Sequence, residues 1–496
     1  MALSKLCFIN TGRGADSTTS EEVDAIVDEL ARHRRVVLHF HGGLVSKQAG
    51  LEGAERLKGA CYDLVPAHPV FFIWESGLLE VVSHNLTEIT GEDIFKTLSK
   101  WLLKFTVGKL EQTPGEKGVE FRTPTDMEFY EELSLRDQNQ EPFRDVKAPE
   151  GLSDITPAEQ ASFAQRLASD LEFQRSASSA VSTLLPTAVA TGEKGAVTLV
   201  RKSARTLMSP DVIENLTEGI EREGEKGIIA TAKLAQSAAT VLVRVIKRFR
   251  GGHDHGIYPT VVEEILREFY LANAGKALWT AMKKQTLDAF SPSPNGTLPG
   301  GSYFVRKLAH ALDGGARPEI SLVGHSAGSV FINNLLNHVG SLKNDAERLL
   351  PSDFAFKDVI FLAPACTFES FLPSITMHRP IYRNFRMFTM SDAAERQDVL
   401  VPFVYTRSLL YLIAGILESA ADMPIVGMER YYVDQPLYSA PEIIAARTFL
   451  KTASNSTVWS PYYTTSGAGL CSKALSHGAF DADPDTLASV RSMLAS

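Results

Sequence analysis

The sequence predicts an α/β fold: a mostly parallel sheet with helices on both faces, interrupted by a large, mainly helical insertion. Three observations predict it. Strand-like and helix-like stretches alternate over residues 1–77 and again over 302–496, as in βαβ units. The strand-like runs, such as Val36-Val37-Leu38 and Val70-Phe71-Phe72-Ile73-Trp74, are continuously apolar, the pattern of strands covered on both faces. Between Leu78 and Gly301 no stretch reads as a convincing strand, and the patterns there are helical.

Composition narrows the class. The chain has 496 residues, enough for two domains or one large domain with an insertion. A hydrophobic share of 44% and a charged share of 22% are those of an ordinary globular enzyme. The net charge of −9 gives no reason to expect nucleic acid as a partner. Cys7, Cys61, Cys366 and Cys471 lie far apart without a C-x-x-C pair, which argues against a disulfide framework and a structural zinc site. Met1 to Asn10 lacks the cationic start and apolar length of a signal peptide. No window of 18 or more apolar residues is free of charge, so a spanning helix is not expected. The expected location is the cytoplasm, with peripheral contact to a membrane left open.

In chain order, Leu6-Cys7-Phe8-Ile9 reads as the first strand, and Ser20 with Val23, Ile26, Val27 and Leu30 as a capped amphipathic helix. The Val36 strand runs into His41-Gly42-Gly43-Leu44. A helix over about 48–64 precedes the Val70 strand, which ends at Glu75-Ser76-Gly77, residues placed to line a pocket or cap a turn. Residues 110–155 are polar and read as a long irregular excursion. Thr156-Pro157-Ala158-Glu159 is a capping box with proline at the first helical position. A helix over about 228–250 carries Leu234, Ala238, Val241, Leu242, Val245 and Phe249 on one stripe, with Lys233, Arg244, Lys247, Arg248 and Arg250 as cations. That amphipathic pattern suggests peripheral contact with anionic lipid; the competing reading is a helix packed on its neighbours with its arginines in water. Another helix is expected over about 259–290. Alternation then resumes: a helix over 302–312, the strand Ile320 to Val323 with its helix, and strands at Val359-Ile360-Phe361-Leu362 and at Phe385 to Met390. Helices over about 402–417 and 440–451, a last strand at Thr457-Val458-Trp459, and a helix over about 484–494 complete the chain.

Gly324-His325-Ser326-Ala327-Gly328 carries the chemistry. An apolar strand enters this G-x-S-x-G motif and a helical pattern, Val330, Phe331, Leu335, Leu336 and Val339, leaves it. Such a turn lifts the Ser326 hydroxyl off the sheet and sets the Ala327 N–H at a helix N-terminus, where it can receive an oxyanion. Its tightness requires residues without Cβ atoms at 324 and 328. A serine hydroxyl needs a base, and the base an orienting acid. Of the histidines after Ser326, His338 lies on the helix behind it and His378 precedes the acids, leaving His477 in a late loop before the last helix. Asp392, two residues past the strand ending at Met390, is the narrowly favoured acid; Asp398 is the alternative and Asp422 a weaker third. His41-Gly42-Gly43-Leu44 follows an early strand, and Gly43 or Leu44 supplies a second oxyanion donor. Gly252-His253-Asp254-His255-Gly256 has metal-ligand residue types but no fourth ligand nearby, so a polar loop is expected rather than a metal site.

Taken in order, His41-Gly42-Gly43, Gly324-His325-Ser326-Ala327-Gly328, the Asp392 region and His477-Gly478 resemble the α/β-hydrolase superfamily, lipase/esterase type. The resemblance covers about residues 1–77 and 301–496. It implies hydrolysis of an ester or amide through an acyl-enzyme, without cofactor or metal. The insertion at 78–301 departs from the minimal pattern. The expectation is a carboxylic ester hydrolase acting on acyl lipids. A peptidase, amidase or thioesterase of the same mechanism, and a binding or scaffold protein using the helical insertion, are the alternatives.

Overall fold

The computed structural model describes residues 3–11, 17–43, 47–74, 78–112, 123–138, 140–182, 187–191, 196–200, 207–218, 226–270, 274–291, 298–344, 349–374, 381–452, 457–462 and 469–496. Seven strands form one parallel sheet: β1 (Phe8–Asn10), β2 (Arg35–Phe40), β3 (His68–Ile73), β6 (Glu319–His325), β7 (Phe356–Leu362), β8 (Tyr382–Met390) and β9 (Thr457–Ser460). A separate antiparallel hairpin, β4 (Thr187–Thr191) and β5 (Ala196–Val200), falls between β3 and β6 in the chain.

The order across the sheet is β1-β3-β2-β6-β7-β8-β9. From β2 the chain moves to β3 on one side. After the helical stretch it re-enters as β6 on the other side of β2 and builds outward to β9. The direction of winding thus reverses between β2 and β6, which is where open α/β sheets form a crevice beyond their strand ends. In-register pairing of Phe40 with Gly324 brings the loops leaving both strands side by side.

Successive residues of each strand feed two cores. Val36, Leu38, Phe40, Ile320 and Leu322 pack with Val23, Ile26 and Leu30 of the helix Ser20–Leu30 and Phe331, Leu335 and Val339 of the helix Gly328–Asn344. Val37, Phe71, Ile73, Val323 and Ile360 pack on the other face with Ala54 and Leu57 of the helix Lys47–Ala60 and Leu487 and Val490 of the helix Pro484–Ala495. Two covered faces explain why the strands read as unbroken apolar runs.

The stretch between β3 and β6 differs from expectation in three places. The β4–β5 hairpin corrects the reading of no strand there; its signal was two runs rich in Val and Thr on either side of the sequence Gly-Glu-Lys-Gly. A helix Asp126–Ser134 interrupts the expected irregular run, started by a capping box in which Thr125 and Glu128 each take the other's backbone N–H. The single helix expected over 259–290 is divided into Ile257–Ile265, a π-helical turn Leu266–Tyr270, and Ala274–Asp288. The capping box at Thr156 and Glu159 starts the helix Pro157–Ser169 as read from the sequence. Beyond β8, the expected helix over 402–417 begins only at Leu409, because Phe403 has φ 66° and Val401 bridges to Tyr405 in a tight turn.

The helix Lys226–Gly251 packs against the helices Pro157–Ser169, Leu171–Ser182 and Ile257–Ile265. By length and composition alone it contains a stretch apolar enough to cross a membrane, with half of that stretch buried in the protein. Four of its cations have partners inside the chain. Arg244 and Arg248 pair with Glu264, Arg248 also with Glu263, and Arg250 with Asp154, while Lys233 donates to the carbonyls of Asn215 and Glu218.

Candidate functional site

Ser326 occupies the turn between β6 and the helix Gly328–Asn344 with φ 52°, left-handed backbone that a serine adopts only under constraint. Its N–H donates to the Leu362 carbonyl at 2.8 Å and its carbonyl accepts from the Ala365 N–H at 3.1 Å, so the end of β7 and the loop after it brace the turn. The flanking glycines serve close approach, not unusual φ. A Cβ on Gly328 would lie 2.2 Å from the Phe40 carbonyl oxygen, and one on Gly324 2.9 Å from the Gly328 backbone. Ser326 is 2% exposed, and its Oγ has no hydrogen-bond partner among the described residues.

The loop leaving β2 lies against this turn. A Cβ on Gly42 would be 3.4 Å from Ser326 Cβ, and one on Gly43 would be 2.7 Å from Ala327 Cβ and 2.3 Å from the Met282 sulfur. Backbone at Gly43 therefore approaches the serine turn as closely as only glycine allows, and Gly42 is nearly as tight. Met282 belongs to the helix Ala274–Asp288, so the long helical stretch contributes an apolar side chain at this place. Lys283 and Trp279 of the same helix anchor it by donating to Glu418 at 2.7 Å each. Leu44 and Glu75-Ser76-Gly77 lie outside the described residues, as does His378. His41 stacks on Trp74 with ring centroids 4.0 Å apart and accepts the Trp74 backbone N–H at Nε2, 3.2 Å away, fixing the start of the loop.

His477 is brought to the same edge. Its ring stacks on that of His325 at 5.4 Å, and its carbonyl accepts from His325 Nε2 at 3.0 Å. Neither of its own ring nitrogens has a partner among the described residues. Burial pushes its imidazole well below the ordinary histidine range, and His325 adds to the push. Among the described residues the ring hydrogen-bonds neither the Ser326 hydroxyl nor the Asp398 carboxylate, which holds only the His477 backbone. His338 lies on the helix behind, against Phe290.

The three acids are separated. Asp398 accepts the backbone N–H of His477 at Oδ2, 2.9 Å away, and burial raises its carboxyl against the lowering effect of that bond. Asp392 instead accepts from the Tyr411 hydroxyl at 2.6 Å and Arg396 Nε at 2.8 Å. It lines a cavity of about 530 Å³ with Arg396, Glu429, Arg430, Tyr438 and Trp459. Asp422 belongs to a third environment, beside His253 and His255.

His253 and His255, from the Gly252–Gly256 motif, are ligated by carboxylates. His253 Nδ1 is 2.7 Å from Asp422 Oδ2. His255 lies between Glu263 at 2.8 Å and Asp422 at 3.1 Å. Arg248 and Tyr405 complete Glu263, and Tyr431 binds Asp422. Burial alone would raise both carboxyls; His253 and His255 hold Asp422 far below the usual range, and His255 with Arg248 hold Glu263 at about 2. Sequence inspection missed this network, because its members come from residues 248–263 and 405–431. It ties the helical stretch to the chain after β8. One further group, Glu29, His33 and His68, has donor atoms close enough for a cation. The two rings, however, stack at 4.3 Å with planes 11° apart, so their in-plane lone pairs do not converge on one point.

Comparison of the chain with protein-family models, curated proteins and solved structures gives no match.

Proposed function

We propose that the protein is a serine hydrolase of carboxylic esters, with acyl lipids as the substrate class, on an α/β-hydrolase arrangement. Residues 1–77 and 302–496 form its core in this reading and residues 78–301 a cap. The observation that carries the proposal is Ser326. It combines a left-handed backbone on a strand–turn–helix with a buried hydroxyl that has no hydrogen-bond partner among the described residues, and the ring of the preceding His325 stacks on the buried imidazole of His477, whose nitrogens are both open. Its position at the reversal of strand order adds support from general α/β architecture.

His477 takes the Ser326 proton as the hydroxyl attacks the acyl carbonyl, and returns it to the leaving alcohol. The Ala327 and Gly43 amides receive the oxyanion. Asp398 is the orienting acid: Oδ2 holds the His477 amide, leaving Oδ1 for the ring Nδ1–H of the imidazolium. Water then attacks the acyl-enzyme with the same base. The Met282 thioether beside Gly43 suits an acyl chain. A cytoplasmic location accompanies this proposal. Peripheral membrane contact through residues 228–250 is separate, and binding to anionic liposomes that weakens with salt is its test.

The deciding experiment is labelling by a fluorophosphonate probe, with Ser326→Ala as control, followed by p-nitrophenyl esters and peptide anilides. Labelling that depends on Ser326 with ester turnover is expected. A folded native protein that takes no label is not a serine hydrolase, and cleavage of anilides alone would make it an amidase.

A further inference from the structure

We infer that His325 is a positioning residue for His477, an inference that rests on the reading of Ser326 as nucleophile. His325 ends β6 on the face where Val323 packs into the core, a place where strand alternation calls for an apolar side chain. A buried polar ring there requires a hydrogen bond to offset its desolvation. It has one: Nε2 lies 3.0 Å from the His477 carbonyl oxygen. A carbonyl only accepts, so Nε2 carries the proton.

His325 adjoins the nucleophile turn, the Gly42 loop and His477. It is covalently next to Ser326. Its Nδ1 would be 3.3 Å from a Cβ on Gly42, so that edge of the ring abuts the proposed oxyanion loop. Its other side stacks on the His477 ring, with planes 29° apart. The opposite peptide group of His477 is held as well, since Asp398 takes its N–H at 2.9 Å. Side chains from two different elements thus grip the backbone of residue 477 before and after its Cα, leaving only the side-chain torsions to aim the imidazole. His325 is assigned a positioning role through the bond from its Nε2–H to that carbonyl. Its work is to fix the distance between the loop carrying the base and the turn carrying the nucleophile.

The test compares His325→Gln, which keeps a side-chain N–H donor, with His325→Leu, which removes it. The rate constant for fluorophosphonate labelling, kcat and KM on a p-nitrophenyl ester, their pH profiles and the melting temperature are measured for each. His325→Leu is expected to slow labelling and kcat by about 100-fold with little change in KM, the scale of a misplacement near 1 Å. His325→Gln is expected to recover most of that loss. The acid limb of the His325→Leu profile should move to higher pH as the neighbour that pushes His477 down is removed. Native-like labelling of His325→Leu overturns the inference alone. Equal losses in both variants, tracking the melting temperature with an unmoved pH profile, also overturn it, assigning His325 a structural role. Failure of the native protein to label overturns the nucleophile reading, and this inference with it.

Discussion

The carboxylate of Asp398 accepts the backbone N–H of His477 at 2.9 Å, whereas Asp392, six residues earlier, is held by Tyr411 and Arg396. The two acids are therefore separable by substitution. Asp398→Asn should lower kcat and labelling rate by about 10³–10⁴-fold, the scale for an orienting acid. Asp392→Asn should stay within about 10-fold of native. The opposite ranking in labelling kinetics would return the role to Asp392.

The pH dependence follows from buried histidines. His477 is held well below its ordinary value, so the neutral base persists below pH 6.5 and the ester hydrolysis rate should stay on its plateau there. Stability behaves differently. Burial pushes His39 down to about 3, and His41 to about 4. Below about 6.5 the unfolded chain binds protons that the folded protein refuses, so the unfolded state gains as pH falls. The contribution of His39 is complete above about 6.5 and erodes by about 1.4 kcal/mol per pH unit down to about 3. Denaturant midpoints from pH 7.5 to 4 should fall steadily, and a flat profile would contradict the buried neutral ring.

Gly328 lets the helix behind Ser326 approach β2. Gly328→Ala places a Cβ 2.2 Å from the Phe40 carbonyl oxygen and 3.1 Å from that of His41. Both obstacles are backbone, so strand and helix must separate. A loss of about 1–3 kcal/mol is expected for such overpacking, with labelling of Ser326 abolished or strongly slowed. Native labelling and an unchanged melting temperature would contradict the close contact.

Arg248 is 6% exposed and pairs with Glu263 at 2.7 Å and Glu264 at 3.2 Å. Arg248→Met removes one cation from each of these buried carboxylates, leaving Glu264 its pair with Arg244 and Glu263 its contact with His255, a change worth up to about 3–5 kcal/mol. The double variant Arg248→Met/Glu263→Gln should recover part of that loss, and equal destabilisation of single and double variants would show that the pair is not coupled.

What was readable in the chain by itself is local. Continuous apolar runs announced strands covered on both faces, the Thr156 capping box announced its helix, and Gly324 and Gly328 announced a turn too tight for a Cβ. These signals work because they are spelled within a few residues by sterics and hydrogen bonding. Where local signals compete, reading along the chain failed: the Thr187–Val200 hairpin was passed over inside a helical stretch, and Phe403 at φ 66° stopped a helix that its neighbours favour. Tertiary structure alone decided that β2 lies beside β6, bringing Gly42 and Gly43 to Ser326 across nearly 300 residues of chain. It alone separated Asp398 from Asp392, and enclosed His253, His255, Asp422 and Glu263 in one network. Such relations depend on which elements pack together, and desolvation and charge pairing act through that space rather than along the sequence.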